Sequence, residues 1–266
     1  MVTIKNLVQP ATLAEAVQYT KTHPGVPLIA GGTFVLARPD SVLIETALDI
    51  SRLVPKHYTV TDTEFNIGSG VTFQEFLEQD IPPVFRQALS TMSNRNIRNR
   101  ATVGGNIGAG KSCASLIPLF LLLDAKLKLA ETDQLLPLAD WLQKPKGIIL
   151  EIHCKNPGKR YMNFTFFRRT SCDLSSITVA VSYTLQDSMI ANLAIALDGF
   201  SKHPEIRQDI AALFEGKPLP KDKEHIRTAV QPLLHAISDQ RGSNLYKEYI
   251  GAEKIAEALI HAEVQP

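Results

Sequence analysis

The stretch Gly104-Gly-Asn-Ile-Gly-Ala-Gly-Lys-Ser112 (GGNIGAGKS) admits two readings. From Gly105 onward it fits G-x-x-x-x-G-K-S, the loop that cradles phosphate in ATPases and GTPases. Taken with the preceding Ala101-Thr102-Val103, it is a paired-glycine segment of the kind that holds the pyrophosphate of a dinucleotide. The triphosphatase loop needs a buried strand before it and a helix after it. A helix can follow, but the preceding Ser93–Thr102, SNRNIRNRAT, is too polar and basic for a central strand. A second magnesium carboxylate is also badly placed. Asp124 falls in or just beyond the same helix, and Asp198 falls in a later domain. The motif matches, its context does not, and Lys111 becomes a basic neighbour rather than a catalytic residue.

A second glycine pair strengthens the dinucleotide reading. In Ile29-Ala-Gly-Gly-Thr-Phe34 an apolar strand runs into Gly31 and Gly32, followed by a hydroxyl residue. Adjacent glycines permit positive φ and let successive N–H groups converge on one anion. A tight turn is the plainer reading of an isolated Gly-Gly-Thr. Thr102-Val-Gly-Gly-Asn106 repeats the pattern and adds two hydrogen-bonding side chains. No acidic residue occurs between Asp80 and Asp124, while Arg86, Arg95, Arg98, Arg100 and Lys111 lie inside that span. A locally positive segment around glycines suits an anionic ligand. Some of these arginines also suit a solvated face or another subunit.

Composition narrows the class. The 266 residues suffice for two domains, and 44% hydrophobic with 21% charged residues is ordinary for a folded chain. A net charge of +1 argues against nucleic acid or a membrane surface as partner. The opening MVTIKNLVQP lacks signal-peptide character, and the longest apolar run, Leu116–Leu123, is too short to span a bilayer. These features imply a soluble, cytoplasmic protein. Cys113, Cys154 and Cys172 are odd in number and lack C-x-x-C spacing, so no disulfide framework, zinc site or iron–sulfur site is expected. His23, His57, His153, His203, His225, His235 and His261 are scattered. No catalytic acid, base, nucleophile or metal ligand is assigned.

Thr12-Leu-Ala-Glu15 and Thr72-Phe-Gln-Glu75 are capping boxes that open helices. Val26–Ala30 reads as a short apolar strand, and Ser41–Ser51 is a second apolar segment following Pro39-Asp40. His57–Gly70 reads as a hairpin turning at Asp62-Thr63. Ser115–Leu129 reads as a buried helix passing into a strand, and Gly147–Cys154 as a β-arm. Asn156-Pro-Gly-Lys159 marks the domain boundary. A long hairpin turning near Asp187-Ser188 follows, and the chain from Pro204 onward reads as mostly helical, including Glu205–Gly216. This order is α+β rather than regular βαβ alternation.

In sum of their order, PATLAEAVQYTKTHPGVPLIAGGTFVL, NIRNRATVGGNI with LIPLFLLLDAKL, DLSSITVAVSY, IALDGF, LFEGKPL and RGSNLYKEYI resemble the FAD-binding subunit of molybdenum hydroxylases, the family of xanthine dehydrogenase and carbon monoxide dehydrogenase. The likeness runs over nearly the whole chain. It implies a PCMH-type FAD domain over residues 1–157, with subdomains of about 1–54 and 55–157. A smaller domain of antiparallel sheet plus helices would occupy 158–266. It implies FAD contacts from Pro27, Leu28, Ile29, Ala30, Gly31, Gly32, Thr33 and Phe34, with Gly31, Gly32 and Thr33 on the pyrophosphate. Thr102, Val103, Gly104, Gly105 and Asn106 would form a second clamp, joined by Ser115. The implied partners are an iron–sulfur subunit and a molybdopterin-binding subunit, with NAD(H) or another molecule exchanging electrons.

Three positions depart from the family pattern. Phe34 stands where an Asp or Ser is usual, Ser115 where an Asp contacts the cofactor, and Thr165 where a lysine is often found, with Arg168 and Arg169 nearby. Serine can still hydrogen-bond a sugar hydroxyl but carries no charge. These departures leave two alternatives open: a scaffold or maturation relative without flavin, and a stand-alone flavin oxidoreductase.

Overall fold

The computed structural model describes residues 2–37, 41–113, 115–170 and 173–265; Pro39-Asp40 and Cys172 lie outside the described residues. The architecture is mixed helix and antiparallel or short parallel sheet, an α+β fold. The chain forms two contact units. One comprises Met1–Asp80, Ser93–Ala109 and Lys126–Cys154, the other Ile81–Met92, Gly110–Ala125 and Lys155–Pro266.

The first unit opens with a strand that the sequence reading passed over, β1 (Val2–Val8). With β2 (Leu28–Ile29) and β3 (Val42–Asp49) it makes a parallel sheet in the order β1-β3-β2. The helix Leu13–Thr22 packs Ala16 against Leu48, Ile50 and Val54. Thr12 caps it by accepting from the Glu15 N–H, while Glu15 accepts from Ala11 rather than from Thr12. The second sheet contains β4 (Tyr58–Val60), β5 (Glu64–Gly68), β6 (Lys126–Leu129), β7 (Leu135–Pro137) and β8 (Ile149–Lys155), in the order β4-β5-β8-β6-β7. The capping box at Thr72 and Glu75 is complete in both directions and starts the helix Phe73–Leu77.

The second unit is built on β9 (Tyr161–Phe167), β10 (Ile177–Gln186), β11 (Met189–Asp198), β12 (Glu205–Ile206) and β13 (Glu263–Val264), in the order β12-β11-β10-β9-β13. The β10–β11 hairpin turns through Asp187 and Ser188, both at positive φ, which matches the twist of the paired strands. Alternation sorts the faces. Ile177, Val179, Val181 and Tyr183 join Ile255, Ala256 and Leu259 of the helix Asn244–Ile260 in one core. The wholly buried helix Ile117–Leu122 also packs on β10 and β11. Beyond β13 the outer edge of β9 is blunted by amides: the Phe164 N–H donates to Asn163 Oδ1, and its carbonyl accepts from Gln87 Nε2.

One expected helix changes. Glu205–Gly216 is not a helix; Glu205 and Ile206 pair with Leu197 and Ala196 as β12, and only Gln208–Ala211 is helical. Edge pairing with β11 overrides the helical pattern there. Lys223–Val230 is helical, but Pro232 turns the continuation into a single 3-10 turn, Gln231–Leu233.

The helix Asn244–Ile260 carries a fully buried cation. Lys247 pairs with Asp239 at 2.9 Å and donates to the carbonyls of Gly199 and Ile237, both at 3.0 Å. Burial raises the Asp239 carboxyl, but hydrogen bonds from Arg241 and Lys247 outweigh it and hold it at about 2. A depressed carboxyl stabilises the fold above its ordinary value of 3.8 and loses that contribution as pH falls toward 2. Asp239→Asn is expected to cost roughly 2 kcal/mol or more at pH 7 and to flatten the acid limb of the stability curve below pH 4. Chemical denaturation across that pH range measures both.

Candidate functional site

The first glycine segment is fixed by strand pairing and then by close packing. Leu28 and Ile29 pair with Leu48 and Asp49, and the Ile50 N–H donates to Ile29 O at 2.8 Å. The chain leaves the sheet at Ala30. At Gly31 it rests on the Arg100 carbonyl, where a Cβ would lie 1.9 Å from the oxygen. Gly32 turns the chain at φ +73°, and the Leu36 N–H closes the turn on Gly32 O at 2.9 Å. Among the described residues, the N–H groups of Gly31, Gly32, Thr33 and Phe34 have no hydrogen-bond acceptor. Four consecutive unpaired donors, beside a hydroxyl at Thr33, form an arrangement suited to phosphate oxygens.

The second glycine pair is not a loop. It lies in the first turn of the helix Val103–Ala109, and that turn spends its donors internally. The Val103 N–H donates to Val71 O and the Gly104 N–H to Ser69 O, each at 2.9 Å. The Gly105 N–H donates to Thr102 Oγ1 at 3.0 Å, and the Asn106 N–H to Thr102 O at 2.9 Å. Expecting these amides to converge on an anion was therefore incorrect. The glycines serve packing: a Cβ on Gly104 would lie 2.3 Å from Ser69 Cβ, and one on Gly105 would lie 2.7 Å from Thr102 Oγ1. The polar side chains of the turn are Thr102, buried to 7% exposure, and half-buried Asn106. The Thr102 hydroxyl accepts from Gly105 and retains its own hydrogen to donate.

The two segments meet through Arg100 and Ala101. Gly31 packs on the first, and Thr102 follows the second directly. The Gly68-Ser69-Gly70 turn seats Gly104 from the other side, since Ser69 donates to Ile149 O and to Leu150 O. Sequence reasoning missed Ser69; two glycines flanking a serine at a hairpin's end were the available signal. The basic run has mixed roles. Arg98 donates to Gln74 and to the Ser93 carbonyl, whereas Arg95 and Arg100 are exposed. Ahead of the pair stands a four-residue helix, Arg95–Arg98, capped by Asn94, rather than the strand a triphosphatase requires. Asp124 is exposed and paired with Lys155 at 2.6 Å.

Arg86, Lys111 and Ser115 belong to the second unit. Ser115 is buried and its Oγ lies 2.8 Å from Ser175 Oγ. Thr165 donates to the Lys254 carbonyl, Arg168 donates to Thr91 O and lies over the Phe166 ring, and Arg169 pairs with Asp173. Cys113 and Cys154 are buried thiols, and burial pushes the Cys154 thiol well above its ordinary range. Among the described residues no group of histidine, cysteine and carboxylate side chains could hold a metal ion, and no helix is long and apolar enough to cross a membrane.

Similarity to known proteins runs over nearly the whole chain. Residues 3–153 match the family described as FAD binding domain in molybdopterin dehydrogenase. The chain is 27% identical to the protein YgfM of Escherichia coli K12, covering 98% of this chain and 97% of that one. It is 29% identical to the xanthine dehydrogenase FAD-binding subunit of Escherichia coli O157:H7 over 70% of each chain. Its fold superposes on carbon monoxide dehydrogenase from Hydrogenophaga pseudoflava with a TM-score of 0.85 at 19% identity, covering 97% of both chains. The chain belongs to the FAD-binding domain family of the molybdopterin dehydrogenases, as a flavoprotein subunit of molybdenum hydroxylase type.

Proposed function

We propose that this protein is the FAD-carrying electron-transfer subunit of a multi-subunit cytoplasmic molybdenum enzyme. In this reading the partners are an iron–sulfur subunit and a molybdopterin-binding subunit, and the final acceptor is NAD or a comparable molecule. The observation that carries it is the row of unpaired N–H donors at Gly31–Phe34 in a chain of an FAD-binding family. When bound, FAD supplies the redox chemistry, accepting electrons from one partner and releasing them to another. The chain's own residues bind and orient. Gly31, Gly32 and Thr33 would hold the pyrophosphate through backbone donors, with Pro27–Ala30 behind them. Thr102 and Asn106 would add side-chain hydrogen bonds, Val103, Gly104 and Gly105 would shape the turn that presents them, and Phe34 would line the cofactor; Ser115 keeps the role that the family resemblance implies. The division into residues 1–157 and 158–266 belongs to the same reading.

A second reading, a scaffold relative without flavin, draws on Ser115 and Thr165. Both hydroxyls are engaged inside the fold, where the family pattern has charged side chains. Visible absorbance of the purified chain separates the two. The FAD reading expects about one FAD per chain and complete loss of binding in Gly32→Asp, which puts a carboxylate among the phosphate donors. Asn106→Ala is expected to weaken binding by roughly 1–3 kcal/mol. A colourless wild type that stays apo in excess FAD overturns it.

The false triphosphatase match yields a negative expectation. The protein should show no magnesium-dependent ATP hydrolysis, and Lys111→Ala should change FAD affinity only slightly; hydrolysis that vanishes in Lys111→Ala reverses this.

Dependence on partners is the remaining expectation. The isolated, FAD-loaded chain should exchange electrons with artificial dyes or NADH and oxidise no organic substrate. Substrate oxidation should appear only with iron–sulfur and molybdenum subunits present. Co-purification from the native cell followed by activity assay checks this, and unaided turnover would mark a stand-alone flavoenzyme.

A further inference from the structure

The helix Pro83–Thr91 and the helix Asn244–Ile260 wall a groove of about 590 Å³ that lies wholly within the second unit. Pro83, Val84 and Gln87 line one wall, and Lys254, Glu257 and His261 the other. The floor is β9 from Met162 to Phe166, roughly 13 Å of extended chain. Gln265 closes one end. Its side chain accepts from the Val84 N–H at 3.1 Å, and its own N–H donates to Arg160 O at 2.8 Å.

The edge that β9 presents to this groove is incomplete. β13 pairs only with Tyr161 and Met162. On the opposite side β10 pairs along the whole strand, so alternate residues of β9 turn their N–H and C=O away from it. Phe164 is one of these, and side-chain amides satisfy it. Its N–H donates to Asn163 Oδ1 at 2.8 Å, and its C=O accepts from Gln87 Nε2 at 3.3 Å. The two amides stand where the peptide groups of a neighbouring strand would lie. Phe166 faces the same way, and no group among the described residues meets its outward N–H or C=O.

We propose that this groove takes an extended, basic segment of a partner polypeptide, which adds to the sheet beside Phe164 and Phe166 in line with β13. Main-chain bonds to Phe166, and to Phe164 once its amides turn aside, supply the affinity. Charge selects the occupant. Lys254 is bound to Glu257 at 2.6 Å, so Lys254, Glu257 and Glu263 together leave the lining with one net negative charge. The groove admits one strand but not a sheet edge. A second copy of this chain carries the same two helical walls beside its own β9, and those walls would collide before the strands met. This inference does not rest on FAD binding.

Amide hydrogen exchange of the full chain with a synthetic Lys-Val-Lys-Val-Lys-Val peptide tests it. With about 1 mM peptide and a Kd of about 0.1 mM, the Phe166 N–H is expected to exchange about tenfold more slowly. The Thr165 N–H, which already faces β10, should change little. A Glu-Val analogue and a proline-interrupted Lys-Val analogue should leave Phe166 unprotected. Glu257→Gln combined with Glu263→Gln should weaken binding of the Lys-Val peptide about fivefold. A wild-type chain whose Phe166 amide gains no protection overturns the proposal. Equal protection by the Glu-Val or the proline-interrupted peptide also overturns it, as does a double variant that binds the Lys-Val peptide as tightly as the wild type.

Discussion

The contact between Gly31 and the Arg100 carbonyl is the constraint on which the first unit's site depends. Backbone lies on backbone, with no space for a side chain between. Several features follow from that approach. The Ala101 carbonyl accepts from the Phe73 N–H, tying in the helix Phe73–Leu77, and Thr102 caps the helix Val103–Ala109. The exit of β2, the capped helices and the Ser69 turn therefore share one framework. At Gly31–Phe34 the chain is left with donors that no acceptor among the described residues reaches. Unpaired backbone donors are tolerable on a surface because water or a ligand completes them.

The two glycine pairs look alike in sequence and do different physical work. The first frees donors; the second removes side chains so that a helix can start against Ser69. The difference lies in what surrounds each pair. Gly31 and Gly32 follow a two-residue strand and enter an open turn, while Gly104 and Gly105 enter a helix whose first turn is closed by Val71, Ser69 and Thr102.

The second unit handles charge by burial. Lys247 is fully enclosed and satisfied by two carbonyls and a carboxylate, so its cost is offset by complete pairing. Asp198, on the neighbouring strand end, has no such set of partners. Lys247 thereby fixes the geometry of the helix Asn244–Ile260, while Asp198 lies buried at the end of β11.

Much of the fold was legible because its signals are local. Thr12 and Thr72 announced helices through their caps, Asp187-Ser188 announced a two-residue hairpin turn, and Leu116–Leu123 announced a buried helix. Both glycine pairs, and the misfit of Ser93–Thr102 to a phosphate-loop strand, were also readable from residue type and spacing. Val2–Val8, Tyr161–Phe167 and Glu205–Ile206 escaped because their strand character comes from distant partners, β3, β10 and β11. The sequence by itself determined the α+β class, the family resemblance and the residues able to form a phosphate-binding backbone. Tertiary structure alone decided which of those backbone donors remain unpaired, and which carboxyl is buried without a partner, because hydrogen-bond satisfaction depends on groups far apart along the chain.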